Sequence, residues 1–217
     1  MTCDVSNAVN GKELAADSGV MSGVLTMRAG ATPQKIDDRQ LDKGAAPLIS
    51  GSTAGAADAD PSDFKAAMRL LAGGTVVVTV GAGDERTGFT ATSVVSLSAE
   101  PPRLMFGISK TSSSWEVLCG SGTFAVNLLR DEDKPVADRF AGRGGVKGKD
   151  RYAGQEWRVR KTGVPTLTGA IAGFDCEVEE FLFRYDHVIV IGRVREAWTG
   201  SAAQPLVYWQ GDYRSLE

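Results

Sequence analysis

One histidine is all that this chain of 217 residues contains. That removes metal sites built from several imidazoles and confines any histidine-based triad to His187. Three cysteines, Cys3, Cys119 and Cys176, are odd in number and far apart, so reduced thiols in a cytoplasm are expected rather than a disulfide framework. No apolar run approaches the roughly 18 residues of a transmembrane helix, and the N-terminus lacks a basic stretch followed by an apolar one. A large excess of either charge is lacking too. The formal net charge is −3, which gives no electrostatic case for nucleic acid or for an anionic membrane. The expectation is a cytoplasmic globular protein.

Aromatic residues are missing from the first 62 positions: all 8 Phe, 4 Trp and 4 Tyr follow Ser62. Up to Ser62 there are 5 Lys/Arg against 8 Asp/Glu, and afterwards 19 against 19, so the net charge sits in the first part. Gly51–Pro61 has a linker composition. A segment without aromatics buries too little apolar surface to offset the entropy of ordering it. Residues 1–62 therefore read as a mostly disordered extension and 63–217 as one folded domain.

Within that domain, Phe64, Ala67, Met68 and Leu71 recur at helical spacing behind Ser62, a candidate cap, and Ala72-Gly73-Gly74 ends the helix. The β-branched run Thr75–Val80 predicts a buried strand. Gly81–Arg86 lacks the third glycine of a dinucleotide loop and leads into a strand, so it reads as a hairpin turn. Short helices are predicted through Trp115–Leu118 and Val136–Phe140. Strands are predicted at Arg103–Ile108, Phe124–Leu129, Trp157–Lys161, Thr166–Leu167, Ala170–Glu180, His187–Trp198 and Pro205–Trp209. Many short strands with Gly and Pro turns argue for a closed antiparallel barrel carrying a few helices, a mainly β (α+β) fold.

Four features carry chemistry. Thr87–Pro102 reads as a strand whose short residues Thr90, Ala91, Thr92 and Ser93 let a ligand approach the backbone. Ser109-Lys110-Thr111-Ser112-Ser113-Ser114 opens the helix at Trp115. One hydroxyl suffices to cap that helix, whereas several hydroxyls and a lysine suit a phosphate. Asn127 is polar inside an apolar strand, hence either a structural bridge or a cofactor contact. His187 follows Asp186, either tied by it at a strand start or acting in a site. The loop Gly142–Asp150 is basic but fails the phosphate-loop pattern. It reads as surface, or as a lid over a nicotinamide phosphate. No G-x-S-x-G surrounds any serine.

Thr87–Pro102, closed by Pro101-Pro102, resembles the signature of the flavin reductase-like family. The likeness continues through Phe124–Leu129, Asp186-His187 with Gly192-Arg193-Val194, and Pro205–Tyr208, in family order over roughly Phe64 to Tyr213. Thr92 stands where that family often has Ser, and Ala99-Glu100 where Leu-Asp is common. The resemblance implies an antiparallel split β-barrel of the FMN-binding type. It implies an NAD(P)H-dependent flavin reductase that passes hydride from NADH or NADPH to FMN or FAD and supplies reduced flavin to a partner monooxygenase. Backbone amides of Thr90, Ala91, Thr92, Ser93 and Val94 would then meet the flavin's pyrimidine edge. Ser109, Lys110, Thr111, Ser112 and Ser113 would hold its tail, with Asn127 as a further contact. His187 would sit beside flavin and nicotinamide as the catalytic residue, and the protein would be a homodimer. Two other readings stay open: an enzyme that keeps its flavin bound and acts on a small substrate, and a flavin-binding protein without turnover.

Overall fold

The computed structural model describes residues 57–216; the expected extension at 1–56 lies outside them. The first element is helix α1 (Pro61–Met68). Its cap is Asp60 rather than Ser62: the Ser62 N–H donates to Asp60 Oδ1 at 2.7 Å, and Pro61 occupies the first turn. A proline fits there because its missing N–H has no helical partner at that position. The helix ends before Leu70 and Leu71, and it buries none of its residues. Gly73–Gly74, expected only to stop it, forms strand β1.

The barrel follows, from β2 (Val76–Val80), β3 (Thr87–Ala91), β4 (Val95–Ala99), β5 (Pro102–Ser109), β6 (Thr123–Leu128), β9 (Ala172–Arg184) and β10 (His187–Thr199). They pair antiparallel in the order β3-β2-β6-β9-β10-β5-β4. Helix α2 (Trp115–Ser121) precedes β6 and α3 (Lys134–Phe140) follows it. The hairpin β7 (Trp157–Val159) and β8 (Pro165–Leu167) forms its own small sheet. Strands β11 (Val207–Trp209) and β12 (Asp212–Arg214) complete a sheet with β1.

Thr87–Pro102 is thus two strands, not one. β3 lies at one edge of the seven-stranded sheet and β4 at the other, so residues 92–94 carry the chain across the split. The short side chains that suggested a continuous strand mark the crossing instead.

Apolar alternation fills the interior. Leu104, Phe106 and Ile108 point inward from β5, Val188 and Val190 from β10, and Phe124 and Val126 from β6. Phe106 and Phe124 meet edge to face, 5.1 Å between centroids. Each such buried side chain contributes about 1.5–3 kcal/mol. Trp115 closes one end of the barrel against Phe181, ring centroids 5.1 Å apart. A second core outside the barrel packs Phe140, Tyr152, Leu167 and Tyr213 around Val77. Gly192 is required by the first core, because any Cβ there would collide with the Phe124 ring.

Candidate functional site

β5 and β10 alternate buried and half-exposed residues in step, and the register sets His187 opposite Ser109 and Ile189 opposite Gly107. The outward residues of both strands make one open face of the barrel. β4 covers β5 only as far as Met105, paired with Val95. Beyond that point Ser93 takes over: its Oγ accepts the Gly107 N–H at 3.3 Å. Ser93, Gly107, Ser109 and His187 therefore share one patch.

The turn after β5 is tied to the β9–β10 hairpin, where the Lys110 N–H donates to the Asp186 carbonyl at 3.0 Å. Lys110 Nζ lies 5.8 Å from the Phe183 ring centroid. His187 Nδ1 and Asp186 Oδ1 are 2.9 Å apart, and the histidine side chain is 54% exposed. The hydrogen bond from His187 holds the Asp186 carboxyl below the usual carboxylate range, helped by the charges of His187 and Lys110. With Nδ1 directed to that carboxylate, Nε2 is the ring nitrogen left for other chemistry. Tyr185, at the hairpin tip, is almost fully exposed and has φ 50°, an uncommon conformation for a bulky residue.

The hydroxyl run divides. Ser109 Oγ and Thr111 Oγ1 are 2.9 Å apart, and Ser112 Oγ accepts the Ser114 N–H at 3.3 Å. Thr111 and Ser113 are exposed. Ser114 is buried, and its hydroxyl donates to the Gly88 carbonyl at 3.0 Å. None of the four serines caps α2 with its side chain, so helix capping does not account for the run.

Two of the predicted residues turn their side chains to the scaffold. Asn127 is 0% exposed. Its Nδ2 donates to the Val77 carbonyl at 3.1 Å, and its Oδ1 accepts the Leu167 N–H at 2.8 Å. The cofactor contact expected of Asn127 is corrected to a bridge joining β2, β6 and β8, because both ends of its amide face backbone. The Thr90 hydroxyl donates to the Ala137 carbonyl at 2.6 Å and so anchors α3 to β3. Ala91 pairs with Val76 and packs against the first core.

Thr92 and Val94 line an apolar cavity of about 430 Å³ at the split, together with Leu104, Phe174 and Val194. Ser93, between them, faces Gly107 instead. The basic loop is fastened down: Lys149 pairs with Asp84 at 2.9 Å and Arg143 with Asp138 at 2.7 Å. Next to it, Arg151 is buried and donates to the Gly88 carbonyl, and Tyr152 donates to Thr87 O at 2.5 Å. A polar cavity of about 710 Å³ lies between Arg86, Lys149, Tyr152 and Trp157, and no predicted site residue lines it. Gly107, opposite Ile189, shares the outer face with Ser109 and His187.

The arrangement presents hydroxyls and one imidazole around an open face, with the exposed residues Thr92 and Ser93 at its edge and the Lys110 ammonium near the Phe183 ring. Ser109 faces His187, but its hydroxyl bonds Thr111 rather than the imidazole. Among the described residues, no group of three His, Cys, Asp or Glu is placed to bind a metal.

Known proteins share this architecture. Residues 68–217 match the family described as flavin reductase like domain. The chain is 35% identical over 163 residues to the reductase subunit HsaB of a flavin-dependent monooxygenase from Mycobacterium tuberculosis, covering 74% of this chain and 85% of that one. It is 39% identical over 153 residues to the reductase component of 4-hydroxyphenylacetate 3-monooxygenase from Thermus thermophilus, covering 70% and 95%. The NADH:FAD oxidoreductase SgcE6 of Streptomyces globisporus C-1027, solved in complex with NAD and FAD fragments, superposes with a TM-score of 0.66. It is 28% identical and covers 75% of this chain and 98% of that one.

Proposed function

Because this chain belongs to the flavin reductase-like family, we propose that it is an NAD(P)H:flavin oxidoreductase that reduces FMN or FAD and supplies the reduced flavin to a partner monooxygenase. The observation that carries the proposal is the shared open face. Ser93, Ser109 and His187 lie together there, with Lys110 held at its rim by the hairpin that bears His187.

The donor set fits a flavin nucleotide. Lys110, Ser109, Thr111, Ser112 and Ser113 suit the phosphorylated tail, since an ammonium and hydroxyls bond phosphate oxygens strongly. The backbone of 92–94 offers N–H donors to the polar edge of a planar ring. A flavin and a nicotinamide, when bound, supply the redox chemistry between themselves. What the chain contributes is placement and charge. His187, oriented through Nδ1 by Asp186, presents Nε2 toward the face and orients or neutralises the bound nicotinamide group. The β5–β10 sheet beneath backs that face from one side.

A second copy of the chain completes the assembly in this proposal. α1 leaves Phe64 61% and, just beyond it, Leu71 66% exposed, and β4 exposes Val95 and Leu97. Apolar side chains gathered this way are usual for a covered surface, and two-fold pairing is the commonest closed symmetry. A sedimentation mass of twice 22.9 kDa is expected, and a monomer at micromolar concentration refutes the pairing. Among the described residues no helix is long and apolar enough to cross a membrane; the proposed location is the cytoplasm.

The deciding experiment follows NADH and NADPH oxidation with added FMN or FAD as the varied substrate. Saturable oxidation that depends on free flavin is expected. A protein that purifies yellow and ignores both nicotinamides is a carrier. Turnover that needs no added flavin but requires a small organic substrate marks a flavoenzyme with a resident cofactor.

A further inference from the structure

The structure assigns to Gly107 the role of setting how closely a planar flavin ring seats on the barrel, an inference that rests on the flavin-reductase reading above. A glycine inside a β-strand is unfavourable, because it loses more chain entropy on folding than other residues and packs no side chain. Four other glycines of this fold have an internal reason. A Cβ on Gly88 would meet the Val78 carbonyl and the Phe140 ring; one on Gly173, the Trp198 ring and the Val126 carbonyl. One on Gly192 would meet the Phe124 ring, and one on Gly200 the Ala170 carbonyl.

Gly107 has no such reason. It sits in the middle of β5 with ordinary strand geometry, and a Cβ built there meets only Ser93 Oγ, at 4.0 Å. The backbone does not demand glycine, and neither does the packing of this chain. The space that a side chain would fill lies on the outer face, between Ser93 and the Ser109–His187 pair. A flat ring lying there would touch the backbone of β5 directly and would gain dispersion contact over its whole area. A methyl would lift its nearest edge and a branched side chain would displace it. The tail contacts at Lys110 and Ser109 are separate from this one. Gly107 is therefore a positioning residue for the ring, common to riboflavin, FMN and FAD.

The test compares Gly107→Ala and Gly107→Val with wild type in apo-protein melting temperature, sedimentation mass, and affinity for riboflavin and FMN by fluorescence quenching. The expected result is a melting temperature equal to or above wild type and an unchanged mass. Affinity should fall in steps, a few-fold for Ala and about ten-fold or more for Val, by the same factor for both ligands. Unchanged riboflavin affinity in Gly107→Val overturns the inference. A large fall in melting temperature in both variants also overturns it, since the fold itself would then need the glycine. A change in mass that accounts for the lost affinity does the same, by moving the role to a subunit contact. A wild-type protein that binds no flavin defeats the functional reading itself, whereas a flavin-binding wild type with unaffected variants defeats only the role of Gly107.

Discussion

Asn127 in β6 and Ser109 at the end of β5 both break an apolar strand with a polar side chain, and their surroundings differ in what they leave available. Around Asn127 every neighbour is scaffold: the Val77 carbonyl, the Leu167 N–H, and Thr79, whose own hydroxyl donates to the Pro165 carbonyl at 2.7 Å. Around Ser109 the neighbours are exposed side chains, Thr111 and the facing His187 with its carboxylate. In the first cluster each polar group is buried and bonded to backbone, so it stabilises one arrangement of three strands. In the second, the groups bond one another weakly under solvent and keep capacity for a ligand. The same residue chemistry is consumed by structure where water is excluded and is left with free capacity where it is not.

Substitution should separate the two clusters cleanly. The largest effect is expected for Asn127→Leu, which leaves the buried Leu167 N–H and the Val77 carbonyl without this partner. Each such loss costs about 1–3 kcal/mol, so a destabilisation of about 3 kcal/mol is expected by urea denaturation. Flavin affinity of the protein that remains folded should be unchanged. A selective loss of flavin binding at wild-type stability would return Asn127 to the site.

Lys110→Ala should do the reverse. A charge-assisted contact to phosphate is worth about 1.5–3 kcal/mol, so the dissociation constant for FMN should rise about ten-fold or more. The apo-protein should melt as wild type does, and riboflavin, which has no phosphate, should bind both proteins equally. An equal loss for riboflavin and FMN would show that Lys110 does not meet a phosphate.

The smallest effect concerns Asp186. Its carboxyl titrates below the ordinary 3.8 because His187 bonds it. A folded-state value below the unfolded one means that the contribution to stability is present above about pH 3.8 and is lost as pH falls through the lowered value. Carboxyl chemical shifts in a pH titration should show Asp186 moving up toward 3.8 in His187→Asn. No movement would mean that the pair does not form in solution, and the orientation assigned to His187 would fail with it.

Much of the barrel was legible because apolar and β-branched runs bounded by Gly, Pro and polar residues mark single strands. Leu104-Met105-Phe106-Gly107-Ile108 and Val188-Ile189-Val190 are such runs, and the polar run Ser109–Ser114 announced the helix at Trp115. Residues 92–94 were not legible as a crossing. The same Thr, Ser and Val suit a strand interior and a bend between two sheet edges, and only the partner on each side distinguishes them. The polar residues failed as a guide for a related reason. Nothing in the letters around Asn127 or Thr90 tells whether a backbone carbonyl or a ligand waits opposite, since that partner comes from β2 or α3, tens of residues away in the chain.

By itself, then, the sequence determined the strand content and the neighbourhood of His187, and the resemblance it carries pointed to a flavin-handling barrel. These are local or patterned properties: side-chain period, turn residues, a motif read in order. Tertiary structure alone decided which hydroxyls remain open, that Ser93 rather than Thr90 bonds β5, and that Gly107 lies bare on the outer face. Those facts depend on strand register across β4, β5 and β10, and register is a relation between distant segments that the packing of the core sets.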